Sequence, residues 1–535
     1  MADRSGSLAR GAAVQTVASA LSRLTGFLRV VAVAAAMGTT FLANTYQTAN
    51  TAPNVVFELL AAGVLTSVFV PTFVDYLVRD RASEGWDAAN AMTSVAMVGL
   101  VGLALLVALL APAILWLLTL GVQDDALRSA EISLGSTFLR LFAPQIVFYG
   151  AGMIMTGALH AHRKFALAAV APIFNNVVVI AVYLTYAAMR GDESPTVQGI
   201  TTSETLVLGL GTTLGVVAMT VALIPQLAGL GWRFRFRFEP LHPAVRKAAR
   251  LGVWALGYAG GYQAGLIVVL MLANGIEGGV AAYQWAYTFF YVPHAVFAVP
   301  IFNVLFPVMS EHVARGEEPA LAERLIDGIA MVAFILLPVA GVLLTSAGPV
   351  TTLSLEYGVM TGSGAELVGR VLAAFALGLP AYSAFLVLTR AFYAFGDTKT
   401  PTLVNAGAMA VASVVGAGLF LAAEEAWAVP GLALGHSAAF VVAGAVMMHL
   451  LRRRVGGLHA SGVVARVWRS GASALVALTV MVAVAVSFPQ DTKPEALLSL
   501  IVTVAAGGAA YLGVAYRLRA PELWRFKSLF VRRPS

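Results

Sequence analysis

Arg23 and Arg29 sit in "LSRLTGFLRVVAVAA" (residues 21–35), an otherwise apolar run with helical spacing. An arginine stays charged at any physiological pH and presents a planar fork of N–H donors that fits carboxylates and phosphates. Counted from Gly11, Arg23 lies about 18 Å along a helix axis, near the middle of a bilayer. A cation there costs about 2.5–3.5 kcal/mol even on the insertion scale, so it needs a reason to be present. Ser19, Ser22, Gly26 and Arg29 recur at i, i+3, i+7 and i+10 with Arg23 beside them, which makes one polar stripe. A second stripe follows at Gln47, Asn50, Asn54 and Glu58. One reading is structural: an arginine pairs with Glu58 and staples the two helices. Two cations against one carboxylate leave a surplus, however. At about 4 Å and an effective dielectric near 20, an added anion would gain roughly 4 kcal/mol per cation. The chemistry this pattern suits is the holding of an anion, above all a phosphate, in a wet cavity.

The elements that position these residues follow from composition. With 535 residues, 59% hydrophobic and 11% charged, and a mean hydropathy of +0.83, the chain reads as an all-α polytopic membrane protein. Cysteine is absent, which removes disulfides and thiolate chemistry. The first apolar run is read as a retained span and not a signal peptide, because Arg23 and Arg29 interrupt it and no small-residue cleavage site closes it.

A span needs about 20 mostly apolar residues. Fourteen such stretches are found, at 11–37, 47–78, 91–120, 132–159, 166–189, 204–230, 251–273, 280–311, 325–347, 367–394, 402–423, 428–451, 470–488 and 496–516. Positive residues should gather in alternate, cytoplasmic loops. Of the 34 Lys and Arg, 26 fall at the termini and in even-numbered loops and three in odd loops; Arg23, Arg29, Arg140, Arg370 and Arg390 are inside spans. The expectation is fourteen spans with both termini cytoplasmic.

An internal repeat is suggested by "VPTFVDYLVR" (70–79) and "FPVMSEHVAR" (306–315), and by "ALHAHRKFALAAVAPIFNN" (158–176) and "AFYAFGDTKTPTLVNAG" (391–407). An offset of six spans relates two lobes of equal orientation by an axis along the membrane normal. The expected organisation is a lobe of spans one to six over 1–240, a second of spans seven to twelve over 241–455, and a final helix pair with a basic tail over 456–535. The two six-helix lobes would enclose a central cavity.

Other motifs carry less. "GLGTTLG" (209–215) imitates a phosphate loop but lies within span six with no preceding strand, so it reads as close helix packing. "RFRFRF" (233–238) reads as an interfacial anchor between lipid phosphates and acyl chains, and no nucleic-acid partner is expected. No paired carboxylates, Ser/His/Asp set or HExxH motif occurs, so an enzyme is not expected, nor a bound metal or cofactor.

The residues "SRLTGFLR" (22–29), "APNVVFELLAAGVLTSVFVP" (52–71), "ALHAHRKFALAAVAPIFNN" and "AFYAFGDTKTP" (391–401) resemble blocks of the MurJ (MviN) lipid II flippases, within the multidrug/oligosaccharidyl-lipid/polysaccharide exporter superfamily. The resemblance implies a transporter that moves lipid II, the undecaprenyl-diphosphate-linked precursor of peptidoglycan, from the inner to the outer leaflet of the bacterial cytoplasmic membrane by alternating access. It implies that Arg23 and Arg29 hold the diphosphate and that the final helix pair forms a groove for the lipid tail. Transport would be coupled to the membrane potential or an ion gradient. Lipid II, membrane lipids and cell-wall synthesis proteins are the implied partners.

The chain departs from the family pattern at several places: Val30 and Asn44 stand where many members carry Asp, and Phe57 and Thr288 where they carry Arg. The cavity is therefore less cationic, and its polar candidates are Ser22, Asn44, Gln47, Asn50, Asn54, Glu58 and Thr288. Span seven has no carboxylate, so sodium coupling is not implied. Two other functions fit the class: export of another polyprenyl-linked glycan or a small molecule, and a non-transporting scaffold for cell-wall enzymes.

Overall fold

The computed structural model describes residues 2–60, 82–162, 164, 166–191, 193–230, 234–242, 245–246, 260–261, 263–455, 458–490 and 492–524. Among these residues, eleven helices are long and apolar enough to cross a membrane, or twelve if one bent pair is counted as a span. Each lies on one of the fourteen stretches expected from hydropathy. The other two, spans two and seven, run into residues 61–81 and 247–259, outside the described residues, as does the repeat segment 70–79.

The chain divides into two compact units, one of Met1–Val280 with Tyr357–Met360, the other of Ala281–Glu356 with Thr361–Ser535. Hydropathy placed the lobe boundary at 240; the short apolar helix Gln263–Ala273 falls within the first unit.

In the first unit, α1 (Ala2–Met37) packs along α7 (Ala166–Arg190), and α2 (Phe41–Leu60) packs on α5 (Asp125–Phe142) and α6 (Pro144–Ala161). The remaining long elements are α3 (Ala82–Leu109), α4 (Ala111–Leu118) and α8 (Thr202–Val221), followed by the short α9 (Ile224–Ala228) and by α10 (Gln263–Ala273). Lipid gives apolar helices no reason to associate, so close contact must come from small residues and buried polar bonds. The "GLGTTLG" stretch of α8 does this. A Cβ on Gly209 would come within 2.4 Å of Leu141, and one on Gly215 within 2.5 Å of Asn175 Oδ1. Its threonines bond outward: Thr213 donates to the Leu141 carbonyl at 2.7 Å and accepts from Gln145 Nε2 at 3.2 Å. The segment 234–238 is exposed along its length. Its Arg237 amide donates to Ser94 Oγ at 2.8 Å, and the Arg237 guanidinium pairs with Asp87 and Glu239.

The second unit begins with α11 (Gly279–Pro293), which passes through a π turn at His294–Ala298 into α12 (Val299–Arg315). Then come α13 (Glu318–Thr345), α14 (Ala347–Leu355), α15 (Gly362–Ala376), α16 (Leu379–Ala394), α17 (Lys399–Ala422), α18 (Glu425–Arg452), α19 (Ala460–Ser487) and α20 (Lys493–Arg517). Hydropathy gave span ten as one stretch over 367–394; the structure bends it by 48° between α15 and α16. Pro380, in the first turn of α16, has no amide for the helix ladder. The Ser437 hydroxyl of α18 lies against the carbonyls of Ala374 (2.8 Å) and Phe375 (3.3 Å) at the bend. A Cβ on Gly378 would meet that same serine at 2.6 Å, so the bend closes onto α18 only with glycine there. α17 and α18 cross backbone to backbone at Gly416 and Gly435. The final pair, α19 and α20, packs on α13 and α14, and the Tyr511 hydroxyl donates to the Phe334 carbonyl at 2.7 Å.

Candidate functional site

The first-unit site is built on α1. Its register against α7 is fixed by Asn176, whose Nδ2 donates to the Ser22 carbonyl at 3.2 Å and to Thr25 Oγ1 at 3.0 Å. Gly26 lies against this amide: a Cβ there would sit in ordinary contact, 3.6 Å from Asn176 Nδ2. One turn further along, Arg29 is half-buried, within electrostatic reach of the Tyr46, Tyr149 and Tyr183 hydroxyls. Arg23 is exposed. Six residues separate the two guanidinium-bearing positions, which is about 9 Å of rise and a third of a turn of facing. Among the described residues neither arginine makes an ion pair or a side-chain hydrogen bond.

The stapling alternative is not what the structure shows. Glu58 is exposed and accepts from Gln263 Nε2 of α10 at 2.6 Å, and pairs with no arginine among the described residues. Among the described residues no carboxylate lies on either arginine.

The second polar stripe divides in two. Asn54 Oδ1 accepts from the Tyr149 hydroxyl at 3.0 Å, and its Nδ2 donates to the Asn50 carbonyl at 2.9 Å. Asn50 Oδ1 is buried and has no donor among the described residues, so it can accept from a hydroxyl or amide hydrogen. Gln47 is half-buried, and its carbonyl accepts from Thr51. Asn44 is different. It is fully buried, and its amide is spent on the chain segment after α10, Nδ2 donating to the Ile276 carbonyl at 2.8 Å and Oδ1 accepting from the Val280 amide at 3.0 Å. Ser22 is half-buried on α1. Thr288 belongs to the second unit, where its hydroxyl donates to the Gln284 carbonyl at 3.1 Å.

Sequence reasoning missed the tyrosines. Tyr46 OH bonds Thr212 and Tyr183, both on neighbouring helices, and packs edge-on against Phe138 and Phe142. A buried phenol in a membrane helix needs a partner, so a tyrosine inside an apolar span is itself a signal. Gln145 of span four is fully buried and donates to Thr213; Arg140, the cation inside that span, is exposed.

In the second unit, an open apolar groove of about 410 Å³ runs between α13, α16 and α19, lined by Ile329, Leu337, Pro380, Val464, Val467 and Trp468 among others. Beside α17, the "GDTKTP" turn is held by Asp397, which accepts from the Thr400 amide (3.0 Å), the Thr400 hydroxyl (2.9 Å) and Arg454 Nη1 (3.0 Å). Burial alone would push this carboxyl up. The Thr400 bonds and the Arg454 charge outweigh it and hold the group below its ordinary value.

Comparison with known proteins places this geometry in context. The family model described as "Lipid II flippase MurJ" matches residues 33–504, a stretch that begins after both arginines of α1. A probable lipid II flippase MurJ of Rhizobium tropici is 30% identical over 423 residues, covering 78% of this chain and 76% of that protein. Among solved structures, a lipid II flippase MurJ in an inward closed conformation superposes with a TM-score of 0.76 at 18% identity, over 94% of this chain and 98% of that one. An inward-facing multidrug resistance MATE family transporter of the MOP superfamily gives 0.65 at 14% identity, over 84% and 98%. At such identities these two likenesses speak for the fold.

Proposed function

The chain belongs to the lipid II flippase MurJ family, and from that premise we propose that it carries lipid II across the bacterial inner membrane, from the cytoplasmic to the outer leaflet, without chemical change to its cargo. The observation that carries the reading is Arg29: a half-buried guanidinium in a membrane helix, within electrostatic reach of three phenols and with no carboxylate on it among the described residues.

A diphosphate supplies what that group lacks. Its oxygens accept from the guanidinium N–H donors, and charge-assisted bonds of this kind are about twice as strong as neutral ones. Arg23, about 9 Å away along the helix, reaches a second part of the same extended headgroup. Asn50 and Gln47 offer acceptors and donors to sugar hydroxyls and peptide amides. The groove beside α19 offers an apolar track for a polyprenyl chain, which gains about 25 cal/mol per Å² of surface buried. The distribution of Lys and Arg supports both termini on the cytoplasmic side, and alternating access about the two units supports passage.

The test is complementation. In cells depleted of their own flippase, the wild-type chain should restore lipid II to the outer leaflet, where an externally added probe detects it. Arg29→Ala, present in the membrane at wild-type level, should not. Restoration by the variant at the wild-type rate would overturn the assignment of the diphosphate to this arginine.

A further inference from the structure

We propose that Glu131 is a proton-binding site whose occupancy is linked to closure of the end of the first unit where α1 ends and α2 and α5 begin. Glu131 lies on the second turn of α5 with no exposed surface, and among the described residues its Oε2 has no hydrogen-bond partner. Its Oε1 is 3.2 Å from Thr45 Oγ1, and that same hydroxyl is 2.8 Å from the Phe41 carbonyl. A threonine hydroxyl has one proton to give. Spent on the closer carbonyl, it leaves Thr45 as an acceptor, and a protonated Glu131 completes the relay from carboxyl to hydroxyl to carbonyl.

Among the described residues no charge stands by to hold the ionised form. α2 presents Thr45 to this part of α5, and α4 presents Leu115 one turn along at Gly135. Arg128, on the preceding turn of α5, is turned to the Trp116 carbonyl and ring. On the other packed elements, Glu204 of α8 is paired with Arg190, Asp87 of α3 with Arg237, Tyr46 and Glu58 of α2 are bonded to Thr212 and Gln263, and Tyr149 of α6 to Asn54. His160 closes the far end of α6. A lone carboxylate in such a place is strongly disfavoured, whereas the neutral acid is tolerated. One carboxyl and one hydroxyl also supply too few oxygens to enclose a metal cation.

The position gives the proton leverage. Thr45 stands between Asn44, which holds Ile276 and Val280 where the chain passes into the second unit, and Thr48, which exchanges bonds with Asn274. When α2 and α5 part, water reaches Glu131 and the carboxyl ionises; when they close, it must take a proton back. Proton binding and closure are then reciprocally linked. For the coupling of transport this rests on the lipid II reading, but the site itself does not.

The experiment has two arms on the full chain. Infrared spectra of the purified protein at neutral pH should show a protonated-carboxyl band that Glu131→Gln lacks, and no lipid substrate is needed. Glutamine is isosteric with the neutral acid, so an unchanged Tm confirms that the variant folds. In vesicles bearing lipid II and an imposed pH difference, one linked proton shifts the wild-type conformational equilibrium by up to about tenfold per pH unit, and Glu131→Gln should lose that response. The same carboxyl band in both proteins, or an undiminished pH response in the variant, would overturn the proposal.

Discussion

Asn176 on α7 and Thr25 on α1 are joined side chain to side chain at 3.0 Å, and the second hydrogen of the same amide goes to the Ser22 carbonyl at 3.2 Å. This clamp sets the rotation of α1 and with it the direction in which Arg29 points, one turn further on. Replacing Asn176 by Leu removes both donors, and losses of this kind run to about 1–3 kcal/mol. The purified variant should therefore melt several degrees below wild type, and its transport should fall further than the loss of folded protein explains. Equal Tm and equal transport would show that α1 is held otherwise.

The crossing of α17 and α18 should be intolerant of a single methyl group. A Cβ on Gly435 would lie 2.5 Å from the Gly416 amide nitrogen and 2.7 Å from the Ala412 carbonyl, and backbone cannot swing aside. Overpacking of this sort costs about 1–3 kcal/mol. Gly407, on the same α17, has nothing within 4 Å of such a Cβ. Gly435→Ala should lower Tm and Gly407→Ala should leave it unchanged or raise it slightly.

Much of this was legible before any coordinates. Arg23, Arg29 and the polar stripe of α2 stand out because polar atoms in an apolar run violate a strong rule, and hydropathy marks membrane helices with little competition from other signals. The partners of those residues were not legible. Asn176 lies in a recognisable "APIFNN" stretch, but that it reaches Ser22 and Thr25 depends on contacts 150 residues apart in sequence. Asn44 looked like a cavity residue and is bound to Ile276 and Val280 instead. Hydropathy starts span four at 132 and leaves Glu131 just outside it, yet α5 opens at Asp125 and carries it inside. The bend between α15 and α16 depends on Ser437, about 60 residues away. In each case the missing information is a contact between distant segments, which periodicity does not encode.

Asp397 should give the turn before α17 a pH-dependent stability. Its carboxyl is held below the ordinary value of 3.8, so the ionised form is the one the folded state prefers. The contribution is complete above that ordinary value and is lost as pH falls through the lower, folded value. Wild type should exceed Asp397→Asn in Tm at neutral pH, and the gap should narrow below about pH 4. A gap that is constant with pH would mean that the ionised carboxyl contributes nothing beyond its shape.

The most direct measurement is equilibrium binding of lipid II to the purified chain and to Arg29→Ala. A hydrogen bond to a charged group contributes about 1.5–3 kcal/mol, so the variant should bind at least about tenfold more weakly. Arg29→Lys, which keeps the charge and loses the fork, should fall between the two. Wild-type affinity in Arg29→Ala would contradict the claim that this unpaired guanidinium holds the diphosphate.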